Sequence, residues 1–410
     1  MHFEVHFYKT KSKNTVFLQA MGDNFKMVAK TLFGFEELLA SELRNLGGAH
    51  VKVGVRNVSF EGDTGFMYKA NLSLRTAIKI LKPIKTFKVR NEQDLYDEVY
   101  KMSWNKYLNV SDTLAINATV FSEQFTHSQF IAYKTKDAIV DKFRDTEGAR
   151  PDVDLDNPHL RINVHIMRNE CTISLDSSGE SLHKRGYRTS TNIAPINEVL
   201  AAGLVMLSGW DGQCDLLDPM CGSGTLAIEA AMIACNIPAN INRKQFGFES
   251  WLDFDEELYN KIEESCLNKI REFHHNIICY DKAPSAMRKA EDNIENANLS
   301  EYISVEQEDF FKSSKNSDNK LHILFNPPYG ERLPVDVKEF YGQIGDTLKQ
   351  GYTNTNAWFI TSNLEGLKSV GLRPSRKIKL FNGKLESRLV KYEMYAGSKK
   401  THKQKPLEEN

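Results

Sequence analysis

A short segment near residue 326 carries the side chains best suited to chemistry in this sequence. The apolar run Leu321 to Phe325 leads directly into Asn326, Pro327, Pro328 and Tyr329. An amine conjugated to a ring is a poor nucleophile because its lone pair is delocalised. If the Asn326 side-chain oxygen and the Pro327 carbonyl each accept one amine hydrogen, the nitrogen moves toward tetrahedral geometry and can attack a methyl group. The paired prolines fix that carbonyl, and Tyr329 offers a plane for a flipped base.

A glycine-rich loop lies upstream, after another short apolar strand. It comprises Asp218, Pro219, Met220, Cys221, Gly222, Ser223, Gly224 and Thr225. Its glycines also fit the spacing of dinucleotide sites, so a nicotinamide-dependent oxidoreductase stays open as a rival. However, the acidic Asp218 can hold a cationic amino acid moiety. Because S-adenosylmethionine has that moiety and no pyrophosphate, the loop is predicted to bind this cofactor.

Two further acidic residues are predicted to complete the cofactor site. Asp281 ends the strand Ile277 to Tyr280, where a carboxylate can accept both ribose hydroxyls. Asp309 follows the strand Val305 to Gln307 and can accept from an adenine amine, while Phe310 covers the ring face. A buried core residue is the alternative for Phe310. No metal site is predicted, since the six cysteines stand singly and lack the spacing of zinc sites.

Length and composition set the frame for these motifs. A chain of 410 residues exceeds one hydrophobic core, so two or more domains are expected. The sequence has no apolar run that could cross a bilayer and no secretion signal, and we expect a cytoplasmic protein. A net charge of -1 argues against binding nucleic acid by overall attraction alone, although basic residues are concentrated locally.

The pattern of elements changes near Ala194. From there, strand, loop and helix repeat, which predicts an α/β fold with a parallel sheet wound by helices on both faces. The preceding half mixes helices with antiparallel strands and includes a hairpin around Arg168-Asn169. Within it, helices are predicted over 35–46, over 72–81 with Pro83 marking the end, and over 129–143.

In this order the motifs resemble the amino-group class of Rossmann-like methyltransferases. The amino-terminal segment Thr31 to Leu38 and the segment Leu182 to Arg188 are similar to those of THUMP-containing RNA guanine-N2 methyltransferases. The most similar branch is the bacterial one that acts on large-subunit (23S) ribosomal RNA. The resemblance extends through Pro195 to Glu198 and the catalytic motifs to Lys379 to Arg388.

The resemblance implies a Rossmann-like S-adenosylmethionine-dependent domain preceded by an α+β ferredoxin-like and THUMP region that binds RNA. The implied divisions are an extension over 1–26, a ferredoxin-like segment over 27–90 and a THUMP domain over 91–180. The methyltransferase domain covers 181–397, with an insertion at about 236–275, and a polar tail covers 398–410. Some ribosomal members carry a second methyltransferase domain, and a single activity is expected of this chain.

The resemblance also assigns roles to particular residues. Asp218, Cys221, Gly222, Ser223 and Gly224 would line the methionine end of the cofactor, and Asn326 to Tyr329 would bind the target amine. The basic residues that would contact RNA are Lys79, Lys82, Lys85, Lys88 and Arg90 at the junction of the amino-terminal units, and Lys184, Arg185 and Arg188 before the catalytic domain. Ordinary solvated surface is the alternative for such charges.

Several other functions remain open from the sequence. The same chemistry could act on tRNA guanosine, on DNA adenine or on a protein glutamine, although the amino-terminal half favours structured RNA. A non-catalytic RNA-binding factor in ribosome assembly is a further alternative. The intact Asn326 to Tyr329 segment argues against it, because a scaffold has no need of two aligned acceptors.

Overall fold

The computed structural model describes residues 23–189, 195–315, 317–329 and 336–395. The predicted polar tail and the first 22 residues of the predicted extension lie outside these ranges. Within them, every helix is too short or too polar to cross a lipid bilayer. The fold consists of two β-sheets, each covered by helices.

Eight strands form one continuous sheet in the described amino-terminal half. They are β1 (Phe25–Thr31), β2 (Ala49–Val53), β3 (Asn57–Gly62), β4 (Ala77–Lys88), β5 (Thr113–Phe121), β6 (Asp152–Val153), β7 (Leu160–Met167) and β8 (Glu170–Asp176), in the order β2-β3-β1-β4-β8-β7-β5-β6. Strand β4 pairs antiparallel with both β1 and β8. The segments predicted to be ferredoxin-like and THUMP units therefore share a single sheet.

Four helices accompany this sheet: α1 (Glu36–Leu46), α2 (Thr64–Ser73), α3 (Glu92–Tyr100) and α4 (Ser128–Glu147). Helix α1 begins and ends as its apolar spacing predicts, burying Leu39 and Leu43. It ends at Gly47 with φ of 103°, a left-handed conformation that glycine adopts without a steric penalty. The predicted hairpin is also confirmed, since β7 and β8 pair antiparallel around Arg168 and Asn169.

The helix predicted over 72–81 is wrong. Helix α2 starts earlier, after Asp63 accepts a hydrogen bond from the Phe66 amide, and the chain has entered β4 by Ala77. Pro83 lies inside this strand, beside a register shift in the pairing with β8. A proline donates no ladder hydrogen bond, and such an irregularity is where a strand tolerates one. Pro83 thus marks a local irregularity in a strand and not the end of a helix.

The carboxyl-terminal sheet has seven strands in the described ranges. They are β9 (Asp215–Asp218), β10 (Ile277–Asp281), β11 (Ile303–Gln307), β12 (Leu321–Phe325), β13 (Asn356–Thr361), β14 (Arg376–Asn382) and β15 (Leu385–Glu393), in the order β11-β10-β9-β12-β13-β15-β14. The first five in this order run parallel, and β15 is antiparallel to both of its neighbours. This arrangement confirms the predicted Rossmann-like fold.

Helices cover both faces of this second sheet. They are α5 (Glu198–Ser208), α6 (Thr225–Ala234), α8 (Pro284–Asn296), α9 (Val337–Gly351) and α10 (Gly366–Ser369), with α7 (Glu256–Leu267) in the insertion. Two separate apolar cores form, one including residues of α5, α6 and α8 and the other residues of α9. The strand order reverses direction at β9, so a crevice opens between the carboxyl ends of β9 and β12.

The insertion between α6 and β10 packs against the amino-terminal half. Phe248 stacks on Tyr68 with ring centroids 4.4 Å apart, and the Asp255 amide donates to the Tyr68 hydroxyl at 3.1 Å. Trp251 and Cys266 belong to the same apolar core as the eight-stranded sheet. The insertion therefore attaches the carboxyl-terminal half to the amino-terminal half.

Candidate active site

The predicted site residues lie at the carboxyl ends of four neighbouring strands. Asp309 follows β11, Asp281 ends β10, Asp218 ends β9 and Asn326 directly follows β12. Adjacent strands are about 4.8 Å apart, so the row spans roughly 14 Å. The structure thus gathers into one row residues that are far apart in sequence, and the row is long enough for an extended nucleoside ligand.

The glycine loop between β9 and α6 is tied to the end of β10. The Gly222 amide donates to Asp281 Oδ2 at 3.1 Å, and the Cys221 amide donates to the Tyr280 carbonyl at 3.0 Å. Gly224 has φ of 77°, and a Cβ there would lie 3.3 Å from the Ala290 Cβ of α8. A larger residue would strain this backbone, so the loop depends on its glycine to stay close to α8.

Asp218 is buried at the start of this loop, with 1% of its surface exposed. Burial raises its pKa to about 8, and the nearby charge of Asp281 adds to the rise, while the Met220 amide lowers it. Near neutral pH this carboxyl therefore holds a proton, which it would release beside a cation. Such an environment fits the ammonium group of an amino acid moiety.

Arg188 and Glu198 form a second polar group below the loop. The Arg188 guanidinium donates to the Thr225 hydroxyl at 2.7 Å and to the Ile196 carbonyl at 2.9 Å, and it lies 3.3 Å from Glu198 Oε1. Burial raises the pKa of Glu198 to about 7. Its other oxygen, Oε2, is buried and has no hydrogen-bond partner among the described residues, so it too could accept from a cationic ligand.

Glu198 was not among the candidate site residues predicted from the sequence, although its segment carried part of the family resemblance. No acidic motif in the sequence distinguishes it, because its environment depends on Arg188 folding back over α6. Arg188 itself was predicted to contact RNA. The structure places it against the start of α6, with 15% of its side chain exposed, so we assign it to positioning the cofactor loop.

The adenine end of the row differs in part from the sequence prediction. Asp309 is half-buried and accepts from the Phe311 amide at 3.1 Å. Phe310 is 2% exposed, and its ring packs with those of Phe325 and Tyr352 at 5.6 and 5.7 Å. Because almost none of the Phe310 ring is accessible, its predicted role of covering an adenine is corrected to core packing.

The Asn326 to Tyr329 segment is held by two asparagines that the sequence did not point to. The Tyr329 hydroxyl donates to Asn326 Oδ1 at 2.5 Å. Asn363, after β13, donates to the Tyr329 carbonyl at 2.9 Å, and Asn382, at the end of β14, donates to the Tyr329 hydroxyl at 3.3 Å. Tyr329 therefore has a hydrogen-bonding role besides the ring plane that the sequence predicted. Pro327 is buried beside it.

The basic residues assigned to RNA divide into two groups in the structure. Lys88 is exposed, and the side chains of Arg90 and Lys184 are 83% and 57% exposed. The other three lysines, Lys79, Lys82 and Lys85, are partly covered and approach Asp176, Asp253 and Glu98. Only the first group has mostly exposed side chains, and within it Arg90 pairs with Asp94 at 3.0 Å and Lys184 with Glu180 at 2.6 Å.

The assignment of Arg185 to RNA is corrected, because its side chain is 1% exposed. It lies 3.3 Å from Glu229 in α6 and donates to Asn240 Oδ1 at 3.0 Å. It also donates to the carbonyl of Arg75, in the amino-terminal half, at 2.5 Å. Arg185 thus joins the two halves of the protein internally.

All six cysteines are free thiols, and a hydrogen bond to Cys279 together with burial raises the pKa of Cys221. Within the described ranges, no group of three or more His, Cys, Asp or Glu side chains could hold a metal ion.

Together these features define an S-adenosylmethionine-dependent methyltransferase. They are the strand order, the glycine loop, the row of acidic strand ends and the Asn-Pro-Pro-Tyr segment. Family models agree along the chain. Residues 185–391 match an RMKL-like methyltransferase domain, residues 89–176 a THUMP domain and residues 26–81 an RlmL ferredoxin-like domain. The chain belongs to this family of RNA methyltransferases.

Individual relatives agree with this assignment. The Synechocystis sp. protein slr0064, whose name classes it as an RNA methyltransferase, is 36% identical over 365 residues, which is 88% of this chain and 95% of that protein. The ribosomal RNA large subunit methyltransferase K/L of Syntrophotalea carbinolica is 36% identical over 381 residues, or 90% of this chain. The chain spans 53% of that longer relative.

A solved structure supports the assignment of S-adenosylmethionine as the cofactor. The crystal structure of the methyltransferase SMU.472 in complex with SAH superposes with a TM-score of 0.82 and 29% identity. The match covers 92% of this chain and all of that one. SAH is the cofactor after its methyl group has been transferred, so S-adenosylmethionine is the cofactor of this fold.

Proposed function

We propose that this chain transfers a methyl group from S-adenosylmethionine to the exocyclic N2 amine of a guanosine in large-subunit (23S) ribosomal RNA, in the cytoplasm. The observation that carries the proposal is the position of Asn326. Asn326 directly follows β12, which pairs with β9, the strand that leads into the glycine loop. The similarity to a large-subunit ribosomal RNA methyltransferase supports the choice of RNA.

The chemistry follows from hydrogen-bond acceptors rather than from a strong base. S-adenosylmethionine supplies the methyl group as an electrophile. Asn326 Oδ1 and the Pro327 carbonyl would each hold one hydrogen of the target amine, which directs the nitrogen lone pair away from the ring system. The methylated nitrogen is briefly cationic and would lose one of these hydrogens to water as a proton. The two prolines restrict the backbone, so that these acceptors are fixed before the base arrives. Asp218 and Glu198 would hold the cationic end of the cofactor, Asp281 its ribose and Asp309 its adenine amine.

Three exposed cations support a path for RNA toward this site. Lys88 and Arg90 lie at the end of β4 and just after it, and Lys184 lies between the THUMP region and the catalytic domain. Exposed lysine and arginine side chains bind phosphates with an affinity that falls as salt rises. We therefore propose these three, and not the buried Arg185, as RNA contacts.

The role of Asn326 can be tested with Asn326→Ala. Loss of an acceptor needed only in the transition state should lower the rate of methyl transfer at least a hundredfold, while the affinity for S-adenosylmethionine changes little. Calorimetry and single-turnover transfer to RNA measure the two quantities. Asn268→Ala, at an exposed site after α7, is the matched control and should behave as wild type. Substantial turnover by Asn326→Ala would exclude the assigned role.

The choice of nucleoside needs a separate experiment. Mass mapping of modified nucleosides in a deletion strain should show the loss of one N2-methylguanosine from large-subunit ribosomal RNA. Restoring the wild-type gene should bring it back, whereas the Asn326→Ala gene should not. An unchanged ribosomal profile with a missing methyl group in tRNA would move the substrate to tRNA. Restoration by an Asn326→Ala protein that transfers no methyl group in vitro would point to a non-catalytic assembly factor.

A further inference from the structure

The Tyr329 hydroxyl lies between two side-chain amides. It accepts a hydrogen from Asn382 Nδ2 at 3.3 Å and donates its own to Asn326 Oδ1 at 2.5 Å. The chain of donors and acceptors therefore runs in one direction, from Asn382 through Tyr329 to Asn326. Its final acceptor is the oxygen assigned to the target amine.

The direction of this chain of hydrogen bonds matters because the two polar atoms of an asparagine amide have opposite hydrogen-bonding properties. Its oxygen can only accept and its nitrogen can only donate, and the two differ by a rotation of the terminal group. With the nitrogen turned into the pocket, the Asn326 amide hydrogens would face the hydrogens of the target amine. Two donors cannot form a hydrogen bond with each other, so the amine would not be bound. A hydroxyl that donates to Asn326 favours the orientation with the oxygen at that position, and the oxygen retains a second lone pair for the amine.

We propose that Asn382 is a positioning residue for methyl transfer, which acts through the Tyr329 hydroxyl to fix the orientation of the Asn326 amide. Asn382 donates a hydrogen bond to a lone pair of the Tyr329 hydroxyl oxygen. The hydroxyl hydrogen then points away from Asn382 and toward Asn326. Neighbouring hydrogen bonds polarise one another in the same sense, which strengthens such a chain. This inference rests on the proposed function of Asn326.

The surroundings of Asn382 suit a residue that positions others. It ends β14 at the turn into β15, where Glu386 pairs with Lys379 at 2.7 Å and with Arg388 at 2.8 Å. The preceding residue, Phe381, packs edge-on against Phe33 of the amino-terminal half, with ring centroids 5.4 Å apart. The turn that presents Asn382 is thus supported from both halves of the protein.

The substitution Asn382→Asp tests the direction of the chain with almost no change in shape. A carboxylate can only accept, so the Tyr329 hydroxyl would turn its hydrogen toward it and away from Asn326. We expect the rate of single-turnover methyl transfer to fall about tenfold, the value of one well-placed hydrogen bond. The affinity for S-adenosylmethionine and the KM for RNA should stay within about twofold. Asn382→Ala, which removes the donor without adding a charge, should lower the rate less.

Tyr329→Phe supplies the decisive comparison because it keeps the ring and removes the hydroxyl. It should lower the rate by a similar factor, and adding Asn382→Asp to it should cause no further loss. If the two losses multiply, Asn382 does not act through Tyr329 and the proposal is overturned. A change in KM alone would overturn it as well. Lys384→Glu, on the exposed turn beside it, controls for the added negative charge and should leave the rate unchanged.

The comparison separates this proposal from the proposed function. Transfer is measured on whichever RNA the wild-type enzyme methylates, so an incorrect RNA assignment does not affect the result. If Asn326→Ala were active, the amine-binding role would fail on its own evidence. If Asn326→Ala is inactive while the losses from Asn382→Asp and Tyr329→Phe multiply, only the positioning role fails. Thermal unfolding of each variant distinguishes a folding defect from a loss of catalysis.

Discussion

Binding of S-adenosylmethionine should release a proton from Asp218. In the free protein, burial and the neighbouring Asp281 raise the Asp218 pKa to about 8, compared with about 3.9 for an unperturbed aspartate. A carboxyl with a pKa near 8 is about 90% protonated at pH 7. If the cationic amino group of the cofactor binds beside it, the charged form becomes favoured and this proton leaves.

The expected size of the release follows from the same pKa. Asp218 should release roughly 0.9 proton per site at pH 7. At pH 9 Asp218 is already ionised, and the release should give way to proton uptake, because the free amino group of the cofactor must be protonated to bind as a cation. Glu198 can add to the release, because its pKa is raised to about 7 and about half of it is protonated at pH 7. The sum at pH 7 therefore lies between about 0.9 and 1.4 protons.

Isothermal titration calorimetry in buffers with different heats of ionisation measures this quantity directly. The slope of binding enthalpy against buffer enthalpy gives the number of protons released. Asp218→Asn should lose most of the slope, whereas Glu198→Gln should keep about 0.9 of a proton. A slope near zero at pH 7 in the wild type, or an unchanged slope in Asp218→Asn, would show that Asp218 does not release this proton.

The same shift has a consequence for stability. Because the pKa of Asp218 is higher in the folded state than in the unfolded state, its contribution to stability is fully present below about pH 4 and is lost as the pH rises through about 8. Asp218→Asn should therefore flatten the decline in Tm between pH 5 and pH 8. The cofactor should protect the wild type most strongly at the upper end of that range.

Three further predictions concern the structural framework. Arg185→Met should lower the free energy of unfolding by roughly 3–5 kcal/mol in urea titrations, because it removes the ion-pair partner of the buried Glu229 carboxylate. An unchanged unfolding midpoint would contradict the role of Arg185 in joining the two halves. Gly224→Ala should weaken cofactor binding, as measured by calorimetry. The control is Gly148→Ala, at a similar backbone angle with open space around it, which should lower stability without changing cofactor affinity. If the two variants bind the cofactor equally well, the loop does not depend on close packing at Gly224. Replacing Lys88 and Arg90 together by alanine should weaken RNA binding and reduce the slope of log affinity against log salt by about 1 to 2, and an unchanged slope would remove them from the interface.

The features that could be predicted from the sequence are those that depend only on neighbouring residues in the chain. A glycine loop between a strand and a helix, or a polar residue directly after an apolar run, has the same meaning wherever the rest of the chain goes. Asp218, Asp281 and Asn326 were placed correctly at strand ends for this reason. Once the strands are parallel and adjacent, their ends must meet at one edge of the sheet.

The features that could not be read depend on contacts between distant segments. Asn382 lies 53 positions from Tyr329, and nothing in either segment indicates the other. Arg185 looks like its neighbour Lys184 in the sequence, but one is buried against Glu229 and the other is exposed. Segment 72–81 shows a related limit, since a short apolar run suits a helix or a strand equally well until its pairing partners are known.

Sharing β4 between two structural units also restricts how the protein can be divided. The ferredoxin-like match ends at residue 81 and the THUMP match begins at residue 89, so a cut between them falls inside the strand Ala77–Lys88. Ala77–Leu81 would keep their pairing with β1, but the pairing of β4 with β8 over Leu81–Lys88 would be broken. The opened edges of β4 and β8 could then recruit other chains and promote aggregation. Neither unit is therefore expected to be well behaved alone, and the smallest fragment suitable for RNA-binding measurements should contain the whole eight-stranded sheet together with the insertion that packs on it.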